Sequence, residues 1–341
     1  MRKIYSTLFI IYILSCNINA QKIELYNYKN LYFIKTTSKI VETNTNFTQL
    51  SDLYFFDQFV VTSDKSNSPT LQLLKRIKSD KFKYIKGTGE NGRGPGEFAD
   101  VWEIFGNYDN SKIFLFDAIN RRIASYNSKL EVNYNDYIYI KSSGYFTSIF
   151  QDNELFYASG LAIGCQIEVI NNQGETIRCL GKEPDLQLNS KYNIRSSSQR
   201  WHSYVVRNTK TGNYAIFYRH AIRASLLDKN GELIKELINK YYGIPSTQII
   251  NGNALPTNSD MRAYISATSN NEYIYALFSG NISESPTSSL GSYIHIFDWN
   301  LNLIKILELD HLSINLILDP KTNKLYSIEW EPESNIRLID L

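Results

Sequence analysis

The 341-residue chain is poor in the groups that most protein chemistry requires. Its four histidines, His202, His220, His295 and His311, are scattered, and no HExxH, GxSxG or paired-histidine motif occurs. Charge of one sign is lacking as well: 36 basic against 34 acidic residues leave a net charge of +2. With no long basic stripe, the long-range attraction on which nucleic-acid binding depends is missing. Beyond the N-terminus no apolar run is long enough to span a bilayer. Helical periodicity is nearly absent, and no Pro/Gly/Ser-rich linker divides the chain. What is plentiful is tyrosine, 25 residues of it, and aromatic and β-branched residues favour strands.

Export is read from the N-terminus. Arg2 and Lys3 precede an apolar run from Ile4 to Leu14, and a small-residue exit follows, the layout of a secretory signal peptide over residues 1–20. Two processing sites compete. Cleavage after Ala20 leaves Gln21 first in a soluble protein of the periplasm or cell surface; Ile13-Leu14-Ser15-Cys16 instead resembles a bacterial lipobox, which would make Cys16 a lipid anchor and the only link to a membrane. Cys165 and Cys179 flank a hairpin centred near Asn172, so they are candidates for a cross-strand disulfide in an oxidising compartment. The sequons at Asn46 and Asn281 matter only if the source glycosylates them.

Short apolar or alternating runs recur in groups of four, separated by Asn, Asp, Gly and Ser. The groups span 53–86, 99–140, 145–180, 202–239, 262–309 and 314–340, and the last is one strand short. Four strands per unit predict an all-β, six-bladed β-propeller over residues 21–341. The missing strand is expected from Ile23–Tyr28 or Tyr32–Thr36, closing the ring with both chain ends and removing an exposed edge.

The stretch Gly87-Thr88-Gly89-Glu90-Asn91-Gly92 matches GxGxxG, but no helix follows to hold a pyrophosphate. The glycines Gly92, Gly94 and Gly96 with Pro95 read instead as a tight connector between blades, and Phe98 as an aromatic wedged between them. This stretch, followed by Ile113 to Asn127, resembles the NHL-type repeat, and the chain as a whole resembles the TolB-like six-bladed propellers of bacterial envelopes. The resemblance implies a propeller and an envelope location, and no activity. Asp117, Asn120 and Arg121 have two readings: an ordered turn in which Arg121 pairs with a nearby carboxylate, or an anion contact through Arg121.

In a propeller, the turns between strands two and three share one face with the blade-to-blade connections. Here that face has the long loops, 87–97, 181–200, 241–260 and 279–292, while the opposite turns are tight. Long loops are costly to order and are often kept for function. The binding face is therefore expected there, with Arg93, Arg195, Arg200, Trp201, Arg219, His220, Tyr241 and Tyr242 as a basic, aromatic rim for a protein or carbohydrate ligand. No metal or cofactor is assigned. The rival reading is a channel-centred metal-dependent hydrolase, lyase or lactonase, with Glu103, Asn153 and Glu272 as converging ligands.

Overall fold

The computed structural model describes residues 23–25, 33–106, 112–127, 129–131, 137–161, 164–184, 199–251, 253–330 and 333–341. Arg195, Cys16 and the signal segment lie outside them. Six antiparallel blades follow one another along the chain, the first four each in its own sheet and the last two joined in one eight-stranded sheet. Blade 1 contains Leu50–Phe56, Phe59–Asp64, Leu71–Lys78 and Lys81–Thr88. Blades 2, 3 and 4 begin with the innermost strands Val101–Gly106, Tyr145–Asp152 and Ser203–Arg207. Blade 5 begins with Met261–Ser269. The strand Leu303–Leu318 is shared: its first half is the outer strand of blade 5 and its second half the innermost strand of blade 6. Each innermost strand packs on the next, and the last packs on the first, so the six blades form a ring. No α-helix occurs among the described residues.

The ring is closed by an N-terminal strand, but not by either segment expected. Ser38–Ile40 completes blade 6, pairing antiparallel with Asn335–Ile339. Ile23–Leu25 instead runs parallel along the outer strand of blade 4, and Phe33–Lys35 parallel along that of blade 5. The three described N-terminal strands thus lie on the outer edges of blades 4, 5 and 6 in turn. The closing strand must run antiparallel to Asn335–Ile339 and lie within reach of Leu50, which only the last of the three short strands does. The other two cover edges that would otherwise present unpaired backbone groups.

The core is six clusters, one at each blade-to-blade junction. Phe98 and Val101 meet Val61 and Leu71 between blades 1 and 2, and Phe114, Phe146 and Phe156 fill the junction of blades 2 and 3. Phe217, Tyr264 and Phe297 fill that of blades 4 and 5; Phe55, Phe82 and Tyr326 seal blade 6 against blade 1. The tyrosine and phenylalanine surplus is therefore spent on wedges between blades. Each full aromatic burial contributes about 1.5–3 kcal/mol.

The tight face is built by one device. Asn127, Asn171, Asp228 and Asp298 each accept N–H bonds from two and four residues ahead. Each such turn needs a left-handed residue three positions on, filled by Leu130 (φ 53°), Gly174 (φ 75°), Gly231 (φ 87°) and Leu301 (φ 54°). The two leucines accept the strain because their side chains are buried, Leu130 in the junction of blades 1 and 2 and Leu301 in that of blades 4 and 5. Cys165 and Cys179 are disulfide-bonded with Cα atoms 5.6 Å apart. The hairpin symmetry expected about Asn172 is not kept: the turn centres on Gln173, with Ile170 opposite Thr176, and a bulge at Val169/Ile170 shifts the ladder one residue further, so that Cys165 opposes Lys182 and Cys179 opposes Glu168.

Two of the expected long loops contain β-structure. Residues 241–260 carry the hairpin Thr247–Ile250 and Asn253–Pro256. In 279–292 the flanking strands run to Ile282 and resume at Gly291, leaving only 283–290 as a connection.

Candidate functional site

The axial channel is a cavity of about 400 Å³ lined by all six innermost strands. One equivalent position per blade faces it: Asp52, Glu103, Ser148, Tyr204, Ser266 and Asn315. In five blades this residue follows a bulge in the innermost strand. Bulges re-aim a side chain, here toward the neighbouring blade. Asp52 accepts the Ile104 N–H at 2.7 Å, Glu103 accepts that of Ile149 at 2.6 Å, and Ser148 Oγ donates to the Val205 carbonyl at 3.4 Å. Ser266 Oγ donates to Asn315 Oδ1, and Asn315 Nδ2 donates to Asp52 Oδ1 at 2.8 Å. The ring of polar bonds steps from blade to blade and departs from this pattern at blade 4, where the Tyr204 hydroxyl accepts Arg219 Nη1 at 2.9 Å. Burial pushes the Asp52 carboxyl up to about 7 against the N–H bonds that favour its charge. Burial, and then the neighbouring Asp52, raise Glu103 well above the usual carboxylate range.

At the mouth of the channel, on the long-loop face, blades 4 and 5 bring together two guanidinium and two imidazole groups. His202 precedes the innermost strand of blade 4, Arg219 and His220 follow its second strand, and Arg262 opens blade 5. His202 Nε2 bonds Thr147 Oγ1 at 2.8 Å, and the His202 ring lies 6.3 Å from that of His220. Arg262 Nη1 donates to His220 at 3.0 Å, which requires a neutral imidazole acceptor. Burial first, then Arg262 and Arg219, depress His220 to about 2; burial and the same cations hold His202 well below the usual imidazole range. Burial and Arg219 lower Arg262 to about 10. Among the described residues no carboxylate lies within ion-pair distance of Arg219 or Arg262. Asp260, whose charge acts on Arg262, is engaged elsewhere: it accepts the N–H groups of Ser246 and Thr257 and anchors the base of the hairpin.

The expected rim is only partly assembled. Arg219 and His220 belong to the mouth cluster, with His202 and Arg262 as members that the sequence reading left out. Arg93, Tyr241 and Tyr242 are exposed on the same face, Tyr241 at 76%. Arg200 and Trp201 are buried: Arg200 donates to the Pro245 carbonyl at 2.9 Å, and Trp201 sits among Tyr157, Val205 and Tyr218 beneath Arg223. Of the expected channel ligands, Glu103 lies in the channel. Asn153 and Glu272 lie in first-to-second-strand turns on the opposite face. Among the described residues no group of three or more His, Cys, Asp or Glu side chains is placed to hold a metal.

The glycine connector is an ordered arch. Glu90–Asn91 pairs parallel with Glu97–Phe98, so Phe98 precedes the innermost strand rather than opening it. Gly89 (φ 78°) and Gly96 (φ 80°) take the left-handed backbone the arch requires. Glu97 folds back to accept the Gly94 N–H at 2.8 Å, and Asn120 Nδ2 reaches the Gly92 carbonyl at 3.4 Å. Pro95 is exposed at the tip. Asp117, fully buried, accepts N–H groups of Ala99, Asp100 and Asn120 and pairs with Arg122 at 3.5 Å. Instead of the expected carboxylate, the Arg121 guanidinium reaches the carbonyls of Ser142 and Gly144, just ahead of blade 3, and Arg122 pairs with Asp117. The left-handed backbone at Arg121 (φ 52°) turns the chain so that Arg122, not Arg121, faces Asp117.

Six radially packed blades, a polar axial channel and unequal faces define a six-bladed β-propeller. The chain belongs to the family described as TolB-like 6-blade propeller-like, whose model matches residues 52–321. No curated protein matches the sequence. Among solved structures, the chain is similar to a Bacteroides fragilis protein titled "Putative exported protein", at 9% identity and TM-score 0.57, covering 94% of this chain and 98% of that one. It is also similar to the Cps50 (Swd1) β-propeller domain of Myceliophteria thermophila, at 9% identity and TM-score 0.51, covering 89% and 99% of the two chains. A third, U3-55K, is 10% identical with TM-score 0.51 over 89% and 98%. At such identities the likeness is one of fold.

Proposed function

We propose that this protein is an exported, non-catalytic binding module of the bacterial cell envelope, taking a protein or carbohydrate ligand on its long-loop face. The observation that carries this reading is the inequality of the two faces. One is sealed by self-satisfied Asx turns. The other presents the glycine arch, the 247–256 hairpin, exposed Arg93, Tyr241 and Tyr242, and the Arg–His cluster at the channel mouth. The channel itself supports ring closure rather than chemistry, because Asp52, Glu103, Ser148 and Asn315 direct their bonds to the next blade.

The N-terminal leader pattern, the Cys165–Cys179 disulfide and the name of the Bacteroides neighbour support export. In the exported form residues 21–341 make one propeller, or the chain begins at a lipidated Cys16. Mass spectrometry of the mature protein separates the two: an N-terminal Gln21 or an acylated Cys16.

The binding reading is tested by pull-down and glycan-array measurements on the intact chain and on chains with residues 185–198 or the 247–256 hairpin replaced by short linkers. Loss of binding in either trimmed chain is expected. Unchanged binding in both overturns the face assignment.

A further inference from the structure

Resting on the long-loop face as the binding face, we infer that Arg219 and Arg262, with His202, His220 and Tyr204, form a binding site for a small carboxylate at the channel mouth. Two cations held together without a carboxylate are unusual. Both residues are half-buried, and partly desolvating an unpaired guanidinium is costly, a cost that a like charge beside it increases. The fold nevertheless places both between blades 4 and 5 and directs the nearest acid, Asp260, to backbone N–H groups. The Nε atoms of Arg219 and Arg262 are both buried and lack a hydrogen-bond partner. The terminal nitrogens of Arg219 are fixed by Tyr204 at 2.9 Å and Ser289 at 3.2 Å, and Arg262 is fixed by His220. Both forks are thus oriented while keeping donors free, which is what planar, two-point recognition of a carboxylate requires. The imidazoles stay neutral, so they add shape and hydrogen bonds without further repulsion. The site also lies where the polar ring of the channel departs from its blade-to-blade pattern, at Tyr204, and the two channel carboxylates, Asp52 and Glu103, belong to blades 1 and 2.

A sugar acid and a free dicarboxylate carry the same recognised group, and separate arms of the test distinguish them. The intact exported chain is titrated calorimetrically with glucuronate, with glutarate and with neutral glucose, and again with Arg219→Gln, Arg262→Gln, Arg262→Lys and, as a control on the opposite face, Lys324→Gln. Melting curves establish that each variant is folded. The expected result is binding of glucuronate, glutarate or both, but not glucose, weakened about tenfold or more by either Gln variant, partly restored by Arg262→Lys and unaffected by Lys324→Gln. Raising salt from about 0.05 to 0.5 M should weaken it further. Carboxylate binding no tighter than glucose binding, or equal in the folded Gln variants, overturns the inference. If the Gln variants still bind carboxylate while the hairpin-trimmed chain does not, this site is refuted and the binding face stands. If the Gln variants and both trimmed chains bind carboxylate as the intact chain does, both fail.

Discussion

Replacing Asp52 by Asn should make the propeller progressively more stable, relative to the parent, as pH rises. In the unfolded chain this carboxyl ionises near 3.8; in the fold, burial moves it to about 7. Between those values the native state holds a proton that the unfolded state has released, so stability falls as pH rises, and the full penalty applies above 7. One pKa unit is worth about 1.4 kcal/mol, so the penalty grows from roughly 1.7 kcal/mol at pH 5 to roughly 4 kcal/mol at pH 8. The buried histidines act in the opposite sense: His202, His220, His295 and His311 are all depressed, so their stabilising effect is lost as pH falls below about 6.5. They are present in both proteins and cancel in the difference. The carboxamide places an N–H₂ against Asn315 Nδ2, a fixed cost at every pH. Urea denaturation of parent and Asp52→Asn at pH 5 and pH 8 should therefore show the difference shifting by about 2–3 kcal/mol in favour of Asn. Losing the Asp52 charge also eases ionisation of Glu103, which adds to the shift. A difference that is constant with pH, or moves in favour of Asp, would refute the picture of a buried, ring-bonded carboxyl.

Asp117→Ala should destabilise the fold by about 3–5 kcal/mol, because it leaves buried Arg122 unpaired and strands the N–H groups of Ala99 and Asp100; a melting shift no larger than that of a surface substitution would contradict the ordered-turn reading. Leu301→Gly relieves a left-handed backbone worth about 1–2 kcal/mol but removes a buried leucine worth about 2–5 kcal/mol, so a net loss is expected. A gain in melting temperature would mean that strain, not packing, dominates that turn. Removing the chain through Ile40 should lower the melting temperature and promote self-association seen by light scattering, since the edge of blade 6 is left open; an unchanged monomer would deny closure by Ser38–Ile40.

Blade number and order were legible because each strand ends in strong turn chemistry, and the Asn171 and Asp228 turns carry their glycine in the expected place. Legibility failed where the decision was not local. Three short N-terminal strands look alike, and only ring geometry selects Ser38–Ile40 to close it. The alternation that marks the innermost strand of blade 1 starts only at Leu53 and leaves out Asp52, because a bulge breaks it. Superposing the six innermost strands would have recovered the signal, a channel-facing residue followed by an apolar one at Asp52-Leu53, Glu103-Ile104, Ser148-Ile149, Tyr204-Val205, Ser266-Ala267 and Asn315-Leu316. Leu130 and Leu301 occupy backbone that glycine prefers, and their burial, invisible locally, explains why. Trp201 reads as a loop aromatic but inserts between blades 3 and 4. The mouth cluster was half visible: Arg219 and His220 are adjacent in sequence, whereas Arg262 arrives from the next blade.

The histidines allow the most direct test of the binding account, since two lie at the mouth and two away from it. His295 is stacked on Phe278 in the core at 4.4 Å, and His311 is bonded to Asp310 and Ser327 in blade 6. The ring C–H signals of the four should be followed by NMR while glucuronate, and separately glutarate, is added to the intact chain at constant pH. The account predicts saturable shifts at His202 and His220, with His295 and His311 unmoved. Shifts confined to His295 or His311, or no saturable shift at His202 and His220 under conditions where ligand binds, would contradict it.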